Sequence, residues 1–176
     1  MATTKWVLDP THSELQFKVK HLMITTVTGS FNDFSAEVAT ESDDFENAKA
    51  SFTAQVASIN TGNADRDGHL KTGDFFDAEQ FPTISFESAS FTKDGDDYKL
   101  KGDLTIKGVT KPVVLNVEFG GTATDPWGNT KAGFTLNGKI NRGDFGLTYN
   151  AALETGGVML SDEVRLLGEL QFVKQA

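Results

Sequence analysis

Three histidines are the residues of this chain best suited to acid–base or metal chemistry, because the sequence contains no cysteine. His12 and His21 lie nine positions apart and His69 is distant from both. None of them forms the i, i+4 pair by which a helix presents two ligands to zinc. No residue pattern indicates a nucleophile with a base and an orienting acid. The sequence therefore predicts no catalytic residue and no metal site.

A second candidate is a run of acidic residues. Asn63, Asp65, Asp67 and Asp74 match the spacing of an EF-hand calcium loop. However, the first ligand position holds Asn, the twelfth holds Asp instead of a bidentate Glu, and no amphipathic helices flank the run. The favoured interpretation is that Asn63 caps a short helix beginning near Ala64.

Two arginines complete the candidate chemistry. Arg66 and Arg142 lie just inside two irregular segments, 61–82 and 141–163. An arginine beside acidic residues at the base of a loop is more often a structural clamp than a catalyst. Arg142 is nevertheless a candidate polar anchor for a ligand, together with His21, which shares a strand face with apolar residues.

The elements that must position these groups are strands. Apolar residues recur at every second position in six segments: 13–21, 50–56, 98–106, 113–119, 132–140 and 164–172. One apolar and one polar face is typical of antiparallel sheet with one side in water. We therefore predict a single all-β domain over residues 1–176, with about eight strands in mostly meander order. Closing them into a barrel would remove exposed edges, and a two-sheet sandwich is the alternative.

Two further strands change phase. The apolar positions are first odd and then even along 27–38, and first even and then odd along 84–91. A one-residue slip moves side chains to the other face of a sheet, so each change predicts a β-bulge. Lys93–Asp97 contains Asp-Gly and predicts a tight hairpin turn.

The segment 61–82 is the longest interruption of the strand pattern and carries Phe75, Phe76 and Phe81. Long loops inside compact domains tend to be functional or disordered, and aromatic residues argue against disorder. We predict a short helical or loop insertion that covers the mouth of a hydrophobic cavity. The alternative is a loop that folds back and plugs the core. The segment 141–163 could form a second lip.

The charge balance excludes several partners. The net charge is −9 and the pI is about 4.7, which argues against nucleic acid and anionic membrane surfaces as partners. No run of 18 apolar residues indicates a membrane span. The first residues lack the apolar core of a secretory signal. The expected location is cytoplasmic as written, or periplasmic if a signal was removed.

Short motifs recur along nearly the whole chain. They are WVLDPTHS at 6–13, Phe17, His21, GSF at 29–31, RDGHL at 66–70, DFFD at 74–77, FPTISF at 81–86, GDLTIKGVT at 102–110, AGF at 132–134 and NRGDFG at 141–146. In this order, these motifs resemble those of the YceI-like, polyisoprenoid-binding family.

The resemblance implies a lipocalin-like antiparallel β-barrel of about eight strands. It also implies a long apolar tunnel that holds an isoprenoid quinone, a polyprenyl chain or a fatty-acid-like amphiphile. Members often pair as homodimers and are commonly exported to the periplasm. No other cofactor is implied.

The leading hypothesis is non-catalytic binding, transport or sequestration of such a long-chain apolar lipid. One alternative is an enzyme that modifies a lipid or a peroxide with His21 or His69. Another is a stress-related interaction module whose barrel is filled by its own side chains. The predicted ligand-binding residues are Leu15, Phe17, Val19, His21, Phe31, Phe52, Phe75, Phe76, Phe81, Phe86, Leu104, Leu115, Phe134, Leu136, Arg142, Phe145 and Leu166.

Overall fold

The strands of the protein account for most of its length. The computed structural model describes residues 3–22, 24–41, 45–147 and 160–175. One α-helix, α1 (Ala64–Leu70), lies between the sixth and seventh strands. The strands are β1 (Thr4–Leu8), β2 (Glu14–His21), β3 (Thr25–Phe31), β4 (Phe34–Thr40), β5 (Lys49–Gln55), β6 (Ile59–Asn60), β7 (Thr83–Asp94), β8 (Asp97–Ile106), β9 (Val109–Thr124), β10 (Thr130–Asn141) and β11 (Leu160–Lys174).

The sheet closes on itself as a barrel. Strands β1, β4, β5, β7, β8, β9, β10 and β11 form a ring, because β1 pairs antiparallel with both β4 and β11. Strand β2 continues β1 along β11, β3 pairs with β2, and β6 pairs with β3. Within the described residues, the eleven strands therefore make up eight long strands, three of which are interrupted once. This confirms the predicted all-β barrel of about eight strands and excludes the two-sheet sandwich.

The backbone is irregular at both positions where the sequence predicts a β-bulge, but the first irregularity is a two-residue break between strands and the second is a bulge. Strands β3 and β4 are separated by Asn32 and Asp33, and this two-residue break lets Phe31 and Phe34 both become buried. The β7–β8 pairing shifts register between Ser88 and Ser90. Each irregularity bends its strand, and such bends help a sheet to close.

Asp9 holds together the break between β1 and β2. It accepts hydrogen bonds from the Thr11 hydroxyl (2.6 Å) and amide (3.0 Å), shares one with His12 Nδ1 (2.9 Å), and accepts one from Lys131 Nζ on β10 (3.0 Å). The bonds from Thr11, then His12, and also Lys131, hold the pKa of the Asp9 carboxyl well below its ordinary value. The ionised carboxylate therefore stabilises the fold.

Replacing Asp9 should make the free energy of unfolding less dependent on pH in the acidic range. A carboxyl whose pKa is lowered by folding stabilises the protein fully above its unfolded pKa of about 3.9, and this stabilisation is lost as the pH falls through the folded pKa. We expect Asp9→Asn to lower the free energy of unfolding at neutral pH by about 2 kcal/mol. The difference in the free energy of unfolding between wild type and this variant should shrink as the pH falls below about 4. Urea unfolding at several pH values measures this, and a gap that is constant with pH would contradict it.

The two ends of the barrel differ. Because successive strands alternate in direction, one end collects Leu22 and Ile24 of the β2–β3 turn, the segment 61–82, the β8–β9 turn and residues 142–147 after β10. We call this end the mouth. Residues 148–159 of the predicted second lip, 141–163, lie outside the described residues. The opposite end, the floor, collects residues 45–48 before β5, the β7–β8 turn and the β9–β10 turn. Within the described residues, no helix is long and apolar enough to cross a bilayer.

Aromatic rings close the floor. Phe45, which precedes β5, is 3% exposed. Its ring centroid lies 5.3 Å from that of Trp6, 5.3 Å from that of Phe119 and 5.0 Å from that of Phe134. The Phe134 ring also contacts Phe172 at 5.9 Å. Tilted and edge-on arrangements at these distances are favourable for aromatic pairs, so Phe45 acts as a plug.

Candidate ligand-binding cavity

The barrel encloses an apolar cavity of about 350 Å³. This volume is within the range of small-molecule sites, about 300–1,000 Å³. All the long strands of the barrel contribute inward-facing side chains to its wall, and most of these are aliphatic or phenylalanine. Such a wall offers burial to an apolar molecule and few hydrogen bonds to a polar one.

Part of the wall borders open space instead of packed side chains. Leu15, Phe17 and Val19 on β2, and Leu136 and Leu166 on β10 and β11, face the cavity but are only half-buried. A filled core of this size would bury such residues, because protein interiors pack almost without voids. The exposed surface of these side chains is therefore cavity surface that an apolar ligand could cover.

The cavity wall contains fifteen of the residues that the sequence predicts for ligand binding. Ligand contact by these residues remains a prediction. They are Leu15, Phe17, Val19, His21, Phe31, Phe52, Phe75, Phe76, Phe86, Leu104, Leu115, Phe134, Leu136, Arg142 and Leu166.

Phe81 and Phe145, which are also among the predicted ligand-binding residues, lie at the mouth end of the barrel but do not form part of the cavity wall. The Phe81 ring lies against Gly108 in the β8–β9 turn, so closely that a β-carbon on Gly108 would come within 2.7 Å of it. Phe145 is 1% exposed and belongs to the packed core. It ends a 3-10 turn (Arg142–Phe145) that packs against β9, β10 and β11, and this packing keeps its ring off the cavity wall.

The insertion 61–82 does reach the cavity. Phe75 is buried and its ring meets the His69 ring edge-on at 5.1 Å. The Phe76 ring meets Phe31 of β3 edge-on at 6.0 Å. Both phenylalanines line the cavity. The insertion thus supplies part of the wall at the mouth, and the predicted helical insertion is confirmed.

Polar side chains in and next to α1 form hydrogen bonds with nearby residues of the chain. Asn63 caps the helix by accepting from the Arg66 amide (3.0 Å), as the sequence predicts. Asp67 accepts from the Thr61 amide (2.9 Å). Arg66 donates from Nε to the Thr61 hydroxyl and from a terminal nitrogen to the Thr61 carbonyl, both at 2.7 Å. Arg66 is therefore a clamp that ties α1 to the end of β6.

The histidines are separated by the fold. His12 lies at the β1–β2 break and pairs with Asp9, whereas His21 and His69 line the cavity. His69 Nε2 lies 2.9 Å from a carboxylate oxygen of Asp74. Among the described residues, no group of three His, Cys, Asp or Glu side chains is arranged to hold a metal ion.

Arg142 is a buried cation at the mouth. It is 5% exposed and follows directly on β10. Its Nε donates to the Ser161 carbonyl on β11 (2.9 Å), and Nη1 donates to the Leu147 carbonyl (2.6 Å). Burial lowers the pKa of its guanidinium, and the charge of Asp162 opposes this shift. Arg142 thus joins the end of β10 to the start of β11 and lines the cavity as well.

Removing this guanidinium should destabilise the barrel. Arg142→Met would leave the carbonyls of Leu147 and Ser161 without these donors, and hydrogen bonds to a charged group contribute about 1.5–3 kcal/mol each. We expect a loss of about 3 kcal/mol in the free energy of unfolding, measured by urea titration. Arg165→Met, at an exposed position of β11, should change it by less than about 0.5 kcal/mol. Equal effects of the two substitutions would contradict the role assigned to Arg142.

A glycine shapes the wall beneath Phe17. Gly29 on β3 lies directly opposite Phe17 on β2. A β-carbon on Gly29 would lie 2.3 Å from the Phe17 ring, so only glycine lets the ring lie flat across β3. The GSF motif at 29–31 therefore controls how far Phe17 projects into the cavity.

Some wall residues were not among the predicted ligand-binding residues. Phe91, Leu100, Val117, Ile140 and Phe172 line the cavity. Their positions in the alternating pattern could have identified them. Phe45 could not be found in this way, because it lies in a polar stretch without periodicity. Arg66 and His69 line the cavity because the insertion 61–82 brings them to the mouth, and strand alternation gives no sign of this.

Comparisons with known proteins agree with this architecture. The family model of the YceI-like domain matches residues 6–172 of this chain. A UPF0312 protein of Staphylococcus aureus (strain N315) is 44% identical over 170 residues, which cover 96% of this chain and 97% of the relative.

Solved structures share the fold. Burkholderia cenocepacia BcnA superposes with a TM-score of 0.80 at 25% identity, over 93% of this chain and 98% of that one. The Campylobacter jejuni YCEI protein superposes with a TM-score of 0.76 at 38% identity, over 89% and 90%. A polyisoprenoid binding domain from Saccharophagus degradans has a TM-score of 0.66 at 17% identity, over 97% and 98%. With its family model matched over nearly its whole length, the chain belongs to the YceI-like family.

Proposed function

We propose that this protein binds a long-chain apolar lipid inside the barrel and carries or sequesters it without chemical change. The observation that carries this proposal is the apolar cavity whose wall on β2, β10 and β11 is only half-buried. Burying an aliphatic chain there stabilises the complex by about 0.8 kcal/mol per methylene, before the cost of ordering the chain.

The distribution of polar groups supports one orientation of the ligand. At the mouth, His21, Thr61, Arg66, His69 and Arg142 line the cavity. The floor is closed by the aromatic plug around Phe45. We therefore propose that the apolar tail lies toward the floor and the polar head group lies at the mouth, beside these polar side chains.

The class of lipid is proposed from the family. Membership of the YceI-like family and the likeness to a structure described as a polyisoprenoid binding domain support an isoprenoid quinone or a polyprenyl chain. A fatty-acid-like amphiphile suits the same geometry, because the cavity wall can bury any apolar chain and polar side chains lie at the mouth beside its head group.

Lipid analysis of the protein purified without detergent tests this function. Native mass spectrometry should show a mass increment, and solvent extraction should release a stoichiometric polyprenyl or acyl species. The native mass would also test the homodimer that the family resemblance implies. If no lipid co-purifies and none of a panel of quinones and fatty acids binds, the proposal is wrong and a filled barrel is favoured.

A further inference from the structure

The turn between β2 and β3 places exposed apolar side chains at the mouth of the barrel. Leu22 is 37% exposed and Ile24 is 79% exposed. Leu22 directly follows His21, which lines the cavity. The turn therefore combines apolar surface in contact with water and direct continuity with the cavity wall.

The same hairpin differs in charge from the rest of the protein. The net charge of the chain is −9, yet no acidic residue occurs between Glu14 and Asp33. Within this stretch, Lys18 and Lys20 alternate with the cavity-facing residues of β2 and lie opposite Thr28 and Thr26 of β3. The average charge of the chain thus conceals a cationic hairpin.

The surroundings restrict this positive surface to one side of the mouth. Beside the hairpin, β11 carries Asp162, Glu163 and Arg165, and Glu163 pairs with Lys139 at 3.7 Å. Across the mouth, the segment 61–82 is acidic. An anionic surface would therefore meet attraction at the hairpin and repulsion at the insertion, which favours a tilted approach with the β2–β3 turn foremost.

We propose that the β2–β3 turn docks the mouth of the barrel on a lipid bilayer that contains anionic lipids. Leu22 and Ile24 enter the interfacial region, and Lys20 contacts the anionic head groups. At about 3.3 Å per strand residue, Lys20 lies within about 7 Å of Leu22 along the backbone, which is less than the Debye length of about 8 Å in physiological salt. The inference rests on the proposed function, because docking brings the cavity opening to the source of its lipid.

Vesicle co-sedimentation tests this docking. Vesicles of phosphatidylcholine alone are compared with vesicles that contain equal parts phosphatidylcholine and phosphatidylglycerol. Wild type should bind the anionic vesicles more tightly, and the double variant Leu22→Asn/Ile24→Ser should weaken that binding by about tenfold or more. Asn suits position 22 because Leu22 has a φ of 54°, which Asn tolerates. Lys20→Gln should weaken it about fivefold.

The chain offers a matched control at the opposite end. Trp127 in the β9–β10 turn is 83% exposed and lies at the floor, so Trp127→Ser should bind vesicles like wild type. Absence of binding to anionic vesicles, equal binding by the double variant, or an equal loss in Trp127→Ser would overturn the proposal. So would a wild-type dimer that binds no vesicles and dissociates in the double variant, since a second copy would then cover the turn.

The docking and the lipid-binding proposals fail in different ways. These vesicles contain no polyprenyl lipid, so their binding needs only the turn. A protein that binds vesicles but neither a quinone nor a fatty acid would refute the cavity function alone. A protein that binds quinone in its cavity but no anionic vesicles would refute the docking alone.

Discussion

Phe45→Ala is expected to lower the free energy of unfolding by about 3–5 kcal/mol, the range for deleting a large aromatic side chain from a core. The ring is 3% exposed and contacts three other aromatic rings at the floor. The rings around it lie on β1, β9 and β10, so the strands limit how far these rings can move into the space that the substitution leaves. Most globular domains have a total stability of about 5–15 kcal/mol, so this loss would be a large fraction of it.

A shift in the midpoint of urea unfolding measures this effect. Phe119→Ala is the matched control, because it removes the same side chain from the same aromatic cluster at a position that is 37% exposed. Its cost should be less than half that of Phe45→Ala, since less apolar surface is lost from the interior. Similar costs for the two variants would show that Phe45 does not act as a plug.

The barrel could be predicted because its information is local and periodic. Alternation along strands such as β8 and β10 defines which side chains face inward, and the phase change along 27–38 marks the break between β3 and β4. The cap at Asn63 could be predicted for the same reason, since a side chain three residues from its amide partner forms a local bond.

The positions of Phe45, Phe81 and Phe145 could not be predicted, because long-range packing determines each of them. Phe45 enters the barrel from a non-periodic segment, and its partners lie on β1, β9 and β10. Phe81 finds Gly108 across a turn, and Phe145 is held by three strands. The sequence shows aromatic residues in the irregular segments. It does not show which of these side chains line the cavity and which belong to the packed core.

The net charge is a second case in which an average conceals local differences. A value of −9 argues against anionic membranes when the charges are spread evenly. Alternation and strand pairing instead place Lys18 and Lys20 on one hairpin without acidic residues, beside the exposed turn at the mouth. Local charge could have been counted from the sequence, but its significance required the positions of the mouth and of Ile24.

Filling the cavity is expected to weaken lipid binding strongly while the barrel stays folded. Leu136 and Leu166 are half-buried on adjacent strands and face the cavity. Their replacement by tryptophan adds side-chain volume where space exists, so the strain of overpacking, about 1–3 kcal/mol in a well-packed core, should be largely avoided. Leu166→Trp should weaken binding of an isoprenoid quinone about tenfold, and Leu136→Trp/Leu166→Trp about a hundredfold, because each ring displaces about two methylenes of ligand.

The comparison variant for this experiment is Arg165→Trp, which places the same ring at an exposed, outward position of β11. Quinone that stays with the protein through gel filtration, quantified by absorbance after extraction, gives the affinity ratio. A cavity that accommodates the ligand tail predicts a graded loss from the single to the double variant and none in Arg165→Trp. Unchanged binding in the double variant would place the ligand outside the barrel. A loss accompanied by unfolding of the double variant would mean that its wall is already packed, because only a wall without free space would be disrupted by the added rings.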